Sequence, residues 1–63
     1  MSWKSYAEWN PEVYTNHYGE PISEDTHASE GAARGVCFML ERDGFGGDGQ
    51  YFPVRTWVEE IPA

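Results

Sequence analysis

The sequence is poor in basic residues, in cysteine and in long apolar stretches, and each shortage excludes a class of protein. Only four Lys and Arg stand against eleven Asp and Glu, so the formal net charge over 63 residues is −7 at pH 7. A nucleic-acid-binding surface needs a basic footprint, and anionic membranes attract basic segments, so we expect neither as a direct partner. The single cysteine, Cys37, excludes a disulfide within the chain.

Long hydrophobic segments are also missing. The longest apolar run is Val36 to Leu40, whereas a membrane-spanning helix needs about 20 apolar residues. The first ten residues contain charges and aromatic side chains but not the apolar segment of a secretory signal. These features predict a cytoplasmic protein.

Aromatic residues, in contrast, are abundant. Three Trp, four Tyr and three Phe make up 16% of the chain. Disordered chains contain few such residues, and each aromatic side chain can bury roughly 150–250 Å². A chain of this length forms one domain, whose core supplies only about 3–5 kcal/mol of stability. We therefore expect residues 1–63 to form a single small domain that depends on its aromatic side chains.

The first third of the sequence predicts an aromatic arm followed by two short strands. Trp3, Tyr6 and Trp9 follow one another at intervals of three, which fits either a helical turn or an extended arm laid over the domain. The Asn-Pro pair that follows ends any helix, so we assign residues 1–10 to this arm. A Val-Tyr-Thr run and a Tyr-Gly turn then predict a strand pair over residues 11–23.

A helix is predicted over residues 29–43. Ser29 is the preferred N-cap, and Thr26 is the alternative in which the helix begins three residues earlier. Gly44 is suited to the left-handed position that ends a helix. The apolar residues that share one helical face are Ala33, Val36, Cys37 and Leu40.

The last third of the chain predicts a glycine-rich loop over residues 44–49 and a strand over residues 50–61. Side chains alternate along this strand, with Phe52, Val54, Thr56 and Val58 on one face. We expect four residues of the helix and this strand to be buried together: Val36, Leu40, Val54 and Val58. The β-β-α-β order predicts an α+β fold, in which a small antiparallel sheet packs on one helix.

Three patterns partly match cofactor- or metal-binding motifs, but each lacks the required context. The loop from Gly44 to Gly49 matches G-x-G-x-x-G, but it leaves a helix and enters a strand, the reverse of a dinucleotide-binding loop. Asp43 and Asp48 lack the spacing and the closing Glu of a calcium loop. The two histidines and the cysteine are not spaced as zinc ligands. We therefore expect no metal, no cofactor and no enzymatic activity.

Acidic residues group on both sides of the predicted helix. Those before it lie near the positive end of the helix dipole, which gives them a structural role as well. Carboxylates at these separated positions could engage a basic protein; alternatively, the charge serves only solubility. The candidate acidic binding residues are Glu20, Glu24, Asp25, Glu30, Glu41, Asp43 and Asp48.

A second candidate surface combines glycines with aromatic residues. Gly31, Gly35 and Phe38 lie on the helix face opposite to the apolar one. Glycine costs roughly 1 kcal/mol relative to alanine within a helix, so we expect this face to be covered by the N-terminal arm or by another chain. Trp57, on the outer face of the last strand, could extend the patch, because aromatic residues often anchor interfaces.

As a whole, the chain resembles the short acidic proteins that bacteriophages produce against host defence, the anti-restriction and anti-CRISPR inhibitors. The likeness rests on the length, the charge of −7, the single free cysteine and the α+β pattern, and not on a motif. It implies a non-enzymatic inhibitor whose carboxylates occupy a basic nucleic-acid-binding groove in place of phosphates. The alternative is a small homodimer or adaptor that binds through its aromatic and glycine surface.

Overall fold

The fold consists of three strands and one helix. A computed structural model describes residues 2–46 and 51–62. The elements, in chain order, are β1 (Ser2–Glu8), β2 (Ile22–His27), α1 (Glu30–Asp43) and β3 (Arg55–Ile61). The strands form one antiparallel sheet in the order β2-β1-β3, and α1 packs on one of its faces. The predicted α+β class and β-β-α-β order are confirmed.

The N-terminal residues form the central strand of the sheet, and the predicted arm over the domain is wrong. β1 pairs along its length with β2 on one side and with β3 on the other. The physical reason is a period of two in the sequence, because successive side chains of a strand point to opposite faces. Ser5, Ala7 and Trp9 are buried on the helix side, while Lys4 and Tyr6 lie on the other face.

The predicted strand pair over residues 11–23 is also wrong. Residues 11–13 form a turn, and β2 begins only at Ile22. Asn16 organises this connection, because its Oδ1 accepts hydrogen bonds from the backbone N–H groups of Tyr18 (2.9 Å) and Glu20 (3.0 Å). Its Nδ2 donates to the carbonyl of Ile22 at 3.2 Å. Side-chain bonds of this kind offer the backbone an alternative to strand pairing, which keeps the Val-Tyr-Thr run outside the sheet.

Helix α1 has the predicted bounds and caps. Ser29 is extended (φ −143°, ψ 156°), and its side chain accepts a hydrogen bond from the N–H of Ala32. Gly44 has φ 74°, and its N–H donates to the carbonyl of Leu40 at 2.9 Å. Thr26 is not the N-cap, because it pairs with Lys4 in the sheet. Within the described residues, no helix reaches the length and hydrophobicity that a membrane crossing requires.

The contact between α1 and the sheet is built from small side chains. Ala33 and Cys37 are buried on the helix, and Ser5 and Ala7 are buried on β1. The predicted core position of Cys37 is confirmed, and its Sγ lies 3.5 Å from the carbonyl oxygen of Trp57. Small residues at these positions allow the helix to approach the sheet closely.

β3 begins at Arg55 instead of residue 50, and this changes the predicted core. Val58 is half-buried, as are Val36 and Leu40, but Val54 is 65% exposed and Phe52 is 55% exposed. Both exposed residues flank a proline, which has no N–H to donate to a strand ladder, and both precede the paired segment. Residues 47–50, which include the predicted site residue Asp48, lie outside the described residues.

Candidate functional site

All four basic side chains of the protein form ion pairs with carboxylates of the same chain. The pairs are Lys4–Glu24 (3.1 Å), Glu30–Arg34 (2.7 Å), Arg42–Asp43 (2.9 Å) and Glu8–Arg55 (2.5 Å). Exposed ion pairs of this kind contribute little to stability. Their main effect is on the charge distribution, because every Lys and Arg side chain lies next to a carboxylate.

Hydrogen bonding within two of these pairs shifts the pKa of three groups towards the ionised form. The bond to Glu24, together with its negative charge, raises the pKa of the Lys4 ammonium above its usual value. The bond from Arg42 lowers the pKa of the Asp43 carboxyl, and the same contact raises the pKa of the Arg42 guanidinium. These contacts therefore favour the ionised forms of Lys4, Arg42 and Asp43.

A further set of exposed carboxylates forms no ion pair with any described residue. These residues are Glu12, Glu20, Asp25, Glu41, Glu59 and Glu60. Glu12 and Glu20 follow the end of β1, and Glu41 lies in the last turn of α1 at the same end of the molecule. Glu59 and Glu60 pair with the start of β1, at the opposite end. Below, these six residues are called the unpaired carboxylates.

The acidic residues predicted before the helix do not share one face of the sheet. Glu24 and Asp25 project from opposite faces of β2, because they are neighbours in a strand. Glu24, Glu30 and Asp43 are held in ion pairs. The predicted residues that belong to the unpaired carboxylates are Glu20, Asp25 and Glu41.

The outer face of α1 is uncovered within the described part of the chain. A Cβ atom added at Gly31 or Gly35 would meet no atom within 4 Å, and Phe38 is 59% exposed. The N-terminal residues do not cover this face, because they lie in the sheet against the other side of the helix. Instead, the Arg42 guanidinium lies 5.3 Å from the centroid of the Phe38 ring, a cation–π contact. Coverage by another chain stays a prediction.

Trp57 lies on the face of the sheet that points away from the helix. Its ring stacks on Tyr6 with a centroid distance of 5.1 Å, and the Arg55 guanidinium lies 4.6 Å from its ring centroid. Its Nε1 donates to a carboxylate oxygen of Glu59 at 2.9 Å. Trp57 and Phe38 both border a hollow of about 260 Å³ at the β3 edge, so Trp57 approaches the Phe38 patch only there.

An apolar groove of about 380 Å³ lies between α1 and the β2 side of the sheet. Its apolar lining comes from segments that are distant in sequence: Trp9, Val13, Tyr14, Val36, Leu40, Phe45 and Tyr51. Trp9 is the most buried of them, and its Nε1 donates to the hydroxyl of Ser23 at 2.9 Å. The ring of Phe45 meets Trp9 edge-on, with a centroid distance of 6.1 Å. Below, we call this feature the α1–β2 groove.

Sequence reasoning missed the α1–β2 groove because it assigned the lining residues to other elements. Trp9 was expected in an arm, and Val13, Tyr14 and Tyr51 were expected in strands. The turn-forming residues around Val13 and Tyr14 were the available signal, because a turn leaves apolar residues outside the sheet. Such residues are then free to line a surface groove.

A third hollow, of about 430 Å³, lies on the face of the sheet that points away from the helix. It is beside the connection between β1 and β2. Tyrosine rings and acidic residues line it, including Tyr6, Tyr18, Glu20 and Glu24. Among residues 2–46 and 51–62, no group of three or more His, Cys, Asp or Glu side chains is placed to hold a metal ion.

Ser5 and His27 form the one described contact that resembles a nucleophile and its base. The Ser5 hydroxyl lies 2.9 Å from Nε2 of His27. Ser5 is only 4% exposed, in the contact between α1 and the sheet, and neither residue lines any of the three hollows described above. The bond therefore satisfies a buried hydroxyl, which would otherwise cost free energy.

No protein-family model matches the chain, and comparisons with the curated proteins and with the solved structures found no significant similarity. The surface of the protein has three distinctive features: the unpaired carboxylates, the outer face of α1 and the α1–β2 groove.

Proposed function

We propose that this protein is a non-enzymatic acidic module that binds a basic protein. The observation that carries the proposal is the pairing of every Lys and Arg with a carboxylate of the same chain, beside six exposed carboxylates without such a pair. Such a surface attracts a positive partner, because none of its Lys or Arg side chains is free to oppose the approach.

The proposed partner handles nucleic acid, and the protein acts as an inhibitor that occupies its basic groove. Lys and Arg side chains of such a groove form charge-assisted hydrogen bonds with carboxylates as well as with phosphates. Five of the unpaired carboxylates, all except Asp25, lie near one end or the other of β1, and the longest extent of the molecule is 35 Å. This length is comparable with one turn of duplex DNA, about 34 Å. It is therefore compatible with nucleic-acid mimicry.

The resemblance to phage-encoded anti-defence inhibitors supports the same proposal. Such an inhibitor would act in the cytoplasm of the host cell, where a free thiol such as that of Cys37 stays reduced. We therefore place the proposed interaction there.

Capture of the partner followed by competition with DNA tests the proposal. The full chain is immobilised, exposed to a bacterial lysate and washed at low or high salt, and the retained proteins are identified. We expect a basic protein that high salt releases and that loses DNA or RNA binding when the chain is saturating. A retained partner that is neutral or acidic, or one that binds nucleic acid equally well with the chain present, would contradict the proposal.

The exposure of the outer face of α1 supports a second candidate function, that of a homodimer or adaptor. Gly31, Gly35 and Phe38 leave room for a close approach of a second chain to the helix. Sedimentation at low and high salt separates the two functions, because apolar association persists at high salt. For a homodimer through this face, we expect a dimer at high salt that Gly35→Leu converts to a monomer. A protein that is monomeric at all salt concentrations would contradict the homodimer.

A further inference from the structure

The α1–β2 groove exposes large apolar side chains next to one another. Val13, Phe45 and Tyr51 are all exposed, at 44%, 65% and 45% of their surface. Contiguous exposed apolar patches with a polar rim are typical of interaction sites. The groove volume of about 380 Å³ lies within the range of ligand sites, roughly 300–1,000 Å³.

Among the residues that the structure describes, Asp25 is the only charged one that lines this groove. It lies on the helix-facing side of β2, opposite Ser5 of the central strand. Its side chain is exposed and forms no ion pair with any described residue. None of the Lys, Arg and His residues lines the groove, so the carboxylate of Asp25 has no cation beside it there.

This combination selects the chemistry of the occupant. A Lys or Arg side chain can lay its apolar stem along an apolar surface while its charged head reaches a carboxylate. An acidic segment would place like charges beside Asp25 without a cation to offset them. A second copy of this chain is disfavoured for the same reason, because each copy carries a net charge of −7.

We infer that the α1–β2 groove docks a segment of the basic partner in which apolar side chains flank a Lys or Arg, with the cation on Asp25. This inference rests on the proposed function and locates one contact of that interaction. The apolar side chains contact the groove lining, and Trp9, held by its bond to Ser23, gives the groove a fixed wall. The unpaired carboxylates outside the groove contribute attraction at longer range.

Peptide titration of the full ¹⁵N-labelled chain tests the inference. The probe is a capped synthetic peptide of alternating Leu and Lys, and the matched peptides replace Lys by Glu or Leu by Ser. We expect saturable chemical-shift changes in the signals of the Trp9 indole N–H and of the Val36 and Leu40 amides. Only the Leu/Lys peptide, and neither matched peptide, should cause them. The indole signal of Trp57, on the opposite face of the sheet, should stay unchanged.

Two variants of equal net charge distinguish the effect of the carboxylate in the groove from the effect of the net charge of the protein. Asp25→Asn removes the carboxylate in the groove, and Glu59→Gln removes one on the other face of the sheet. We expect Asp25→Asn to weaken peptide binding about two- to fivefold, the effect of losing an exposed ion pair, and Glu59→Gln to weaken it less. Val13→Ser, in an exposed turn, should also weaken binding because it removes apolar contact.

Several outcomes would overturn the inference and leave the proposed function standing. Shifts that map to carboxylates outside the groove, equal binding of the Ser/Lys peptide, or absence of any binding would show that the groove is not the docking site. Equal binding of the Leu/Glu peptide would show that Asp25 does not select a cation. The proposed function itself is judged by the captured partner and by its competition with DNA.

Discussion

Ala33 and Cys37 show how little space this domain leaves between its helix and its sheet. Ala33 is fully buried, and its neighbour in sequence, Ala32, is exposed on the other side of the helix. Interiors are packed densely, so an added methylene group at the inner position must displace the sheet or the helix. The outer position has no such constraint.

We expect Ala33→Leu to lower the free energy of unfolding by about 1–3 kcal/mol, the usual cost of overpacking a core. Ala32→Leu adds the same atoms on the solvent side of the helix and should change the free energy of unfolding by less than about 0.5 kcal/mol. Urea denaturation of the two variants measures the difference. Equal effects of the two substitutions would mean that Ala33 is not at the contact between helix and sheet.

The Arg42–Asp43 pair gives the protein a pH-dependent contribution to stability. Its bond lowers the pKa of the Asp43 carboxyl in the folded state. The contribution is therefore fully present above the pKa of the unfolded carboxyl, about 3.9, and is lost as the pH falls through the lower, folded value. The pair is exposed, so the effect is small.

Asp43→Asn should remove this contribution. We expect wild type to be slightly more stable than the variant near neutral pH, and the difference to shrink as the pH falls below about 4. Thermal unfolding of both proteins between neutral and acidic pH measures it. Glu41→Gln, two residues away and without an ion pair, is the control. A difference that grows on acidification would contradict the role assigned to the pair.

At the scale of elements, the helix was predictable because its signals are local. Ser29, Gly44 and the apolar spacing between them fix both ends and the inner face of α1 within one stretch of sequence. β1 was misassigned because Trp3, Tyr6 and Trp9 suggested an interval of three. Its strand character depends on partners 14 and more residues away, which the sequence does not specify.

Gly35, within α1, provides a test of the uncovered helix face, and Gly44, which ends the helix, serves as the comparison. Gly35→Ala should raise the free energy of unfolding by roughly 0.5–1 kcal/mol, because its Cβ meets no atom and alanine favours a helix. Gly44→Ala should lower it, because φ is +74° there and disfavours a side chain. Thermal unfolding at two protein concentrations measures both. A destabilising Gly35→Ala would indicate that another chain covers this face.

The stacked pair of Tyr6 and Trp57 links β1 to β3 across the sheet. The rings are 5.1 Å apart and nearly parallel, at 9°. A double-mutant cycle with Tyr6→Ala and Trp57→Ala should give a coupling energy of about 0.5–1.5 kcal/mol, the value for aromatic pairs beyond their buried area. A cycle of Tyr6→Ala with Phe38→Ala, across the helix, should give a value near zero. Equal coupling in both cycles would show that the stacking contributes nothing specific.

The candidate site was predictable in its charge but not in its pairing. The Glu30–Arg34 pair can be inferred from the sequence, because residues four apart meet on a helix. The Lys4–Glu24 and Glu8–Arg55 pairs span 20 and 47 residues, and only the sheet register brings them together. The α1–β2 groove was unpredictable for the same reason, because four chain segments build it.

At the scale of the whole molecule, the small core and the large charge have different consequences. Large apolar side chains are exposed on the helix, in the α1–β2 groove and before β3. The excess of seven carboxylates opposes self-association of such a surface and favours the approach of a positive partner. The charge therefore favours binding to a basic partner. Apolar contacts would then stabilise the complex.

The most direct test of binding to a basic partner is the rate of association with the captured, purified partner as a function of salt. We expect the association rate constant to fall at least tenfold between about 0.02 M and about 0.5 M salt, because ions screen the attraction between the two surfaces. Replacing Glu12, Glu20 and Glu41 by Gln should lower the rate at low salt and make the salt dependence shallower. An association rate that is independent of salt and unchanged by these substitutions would contradict the proposal that the acidic surface recognises its partner.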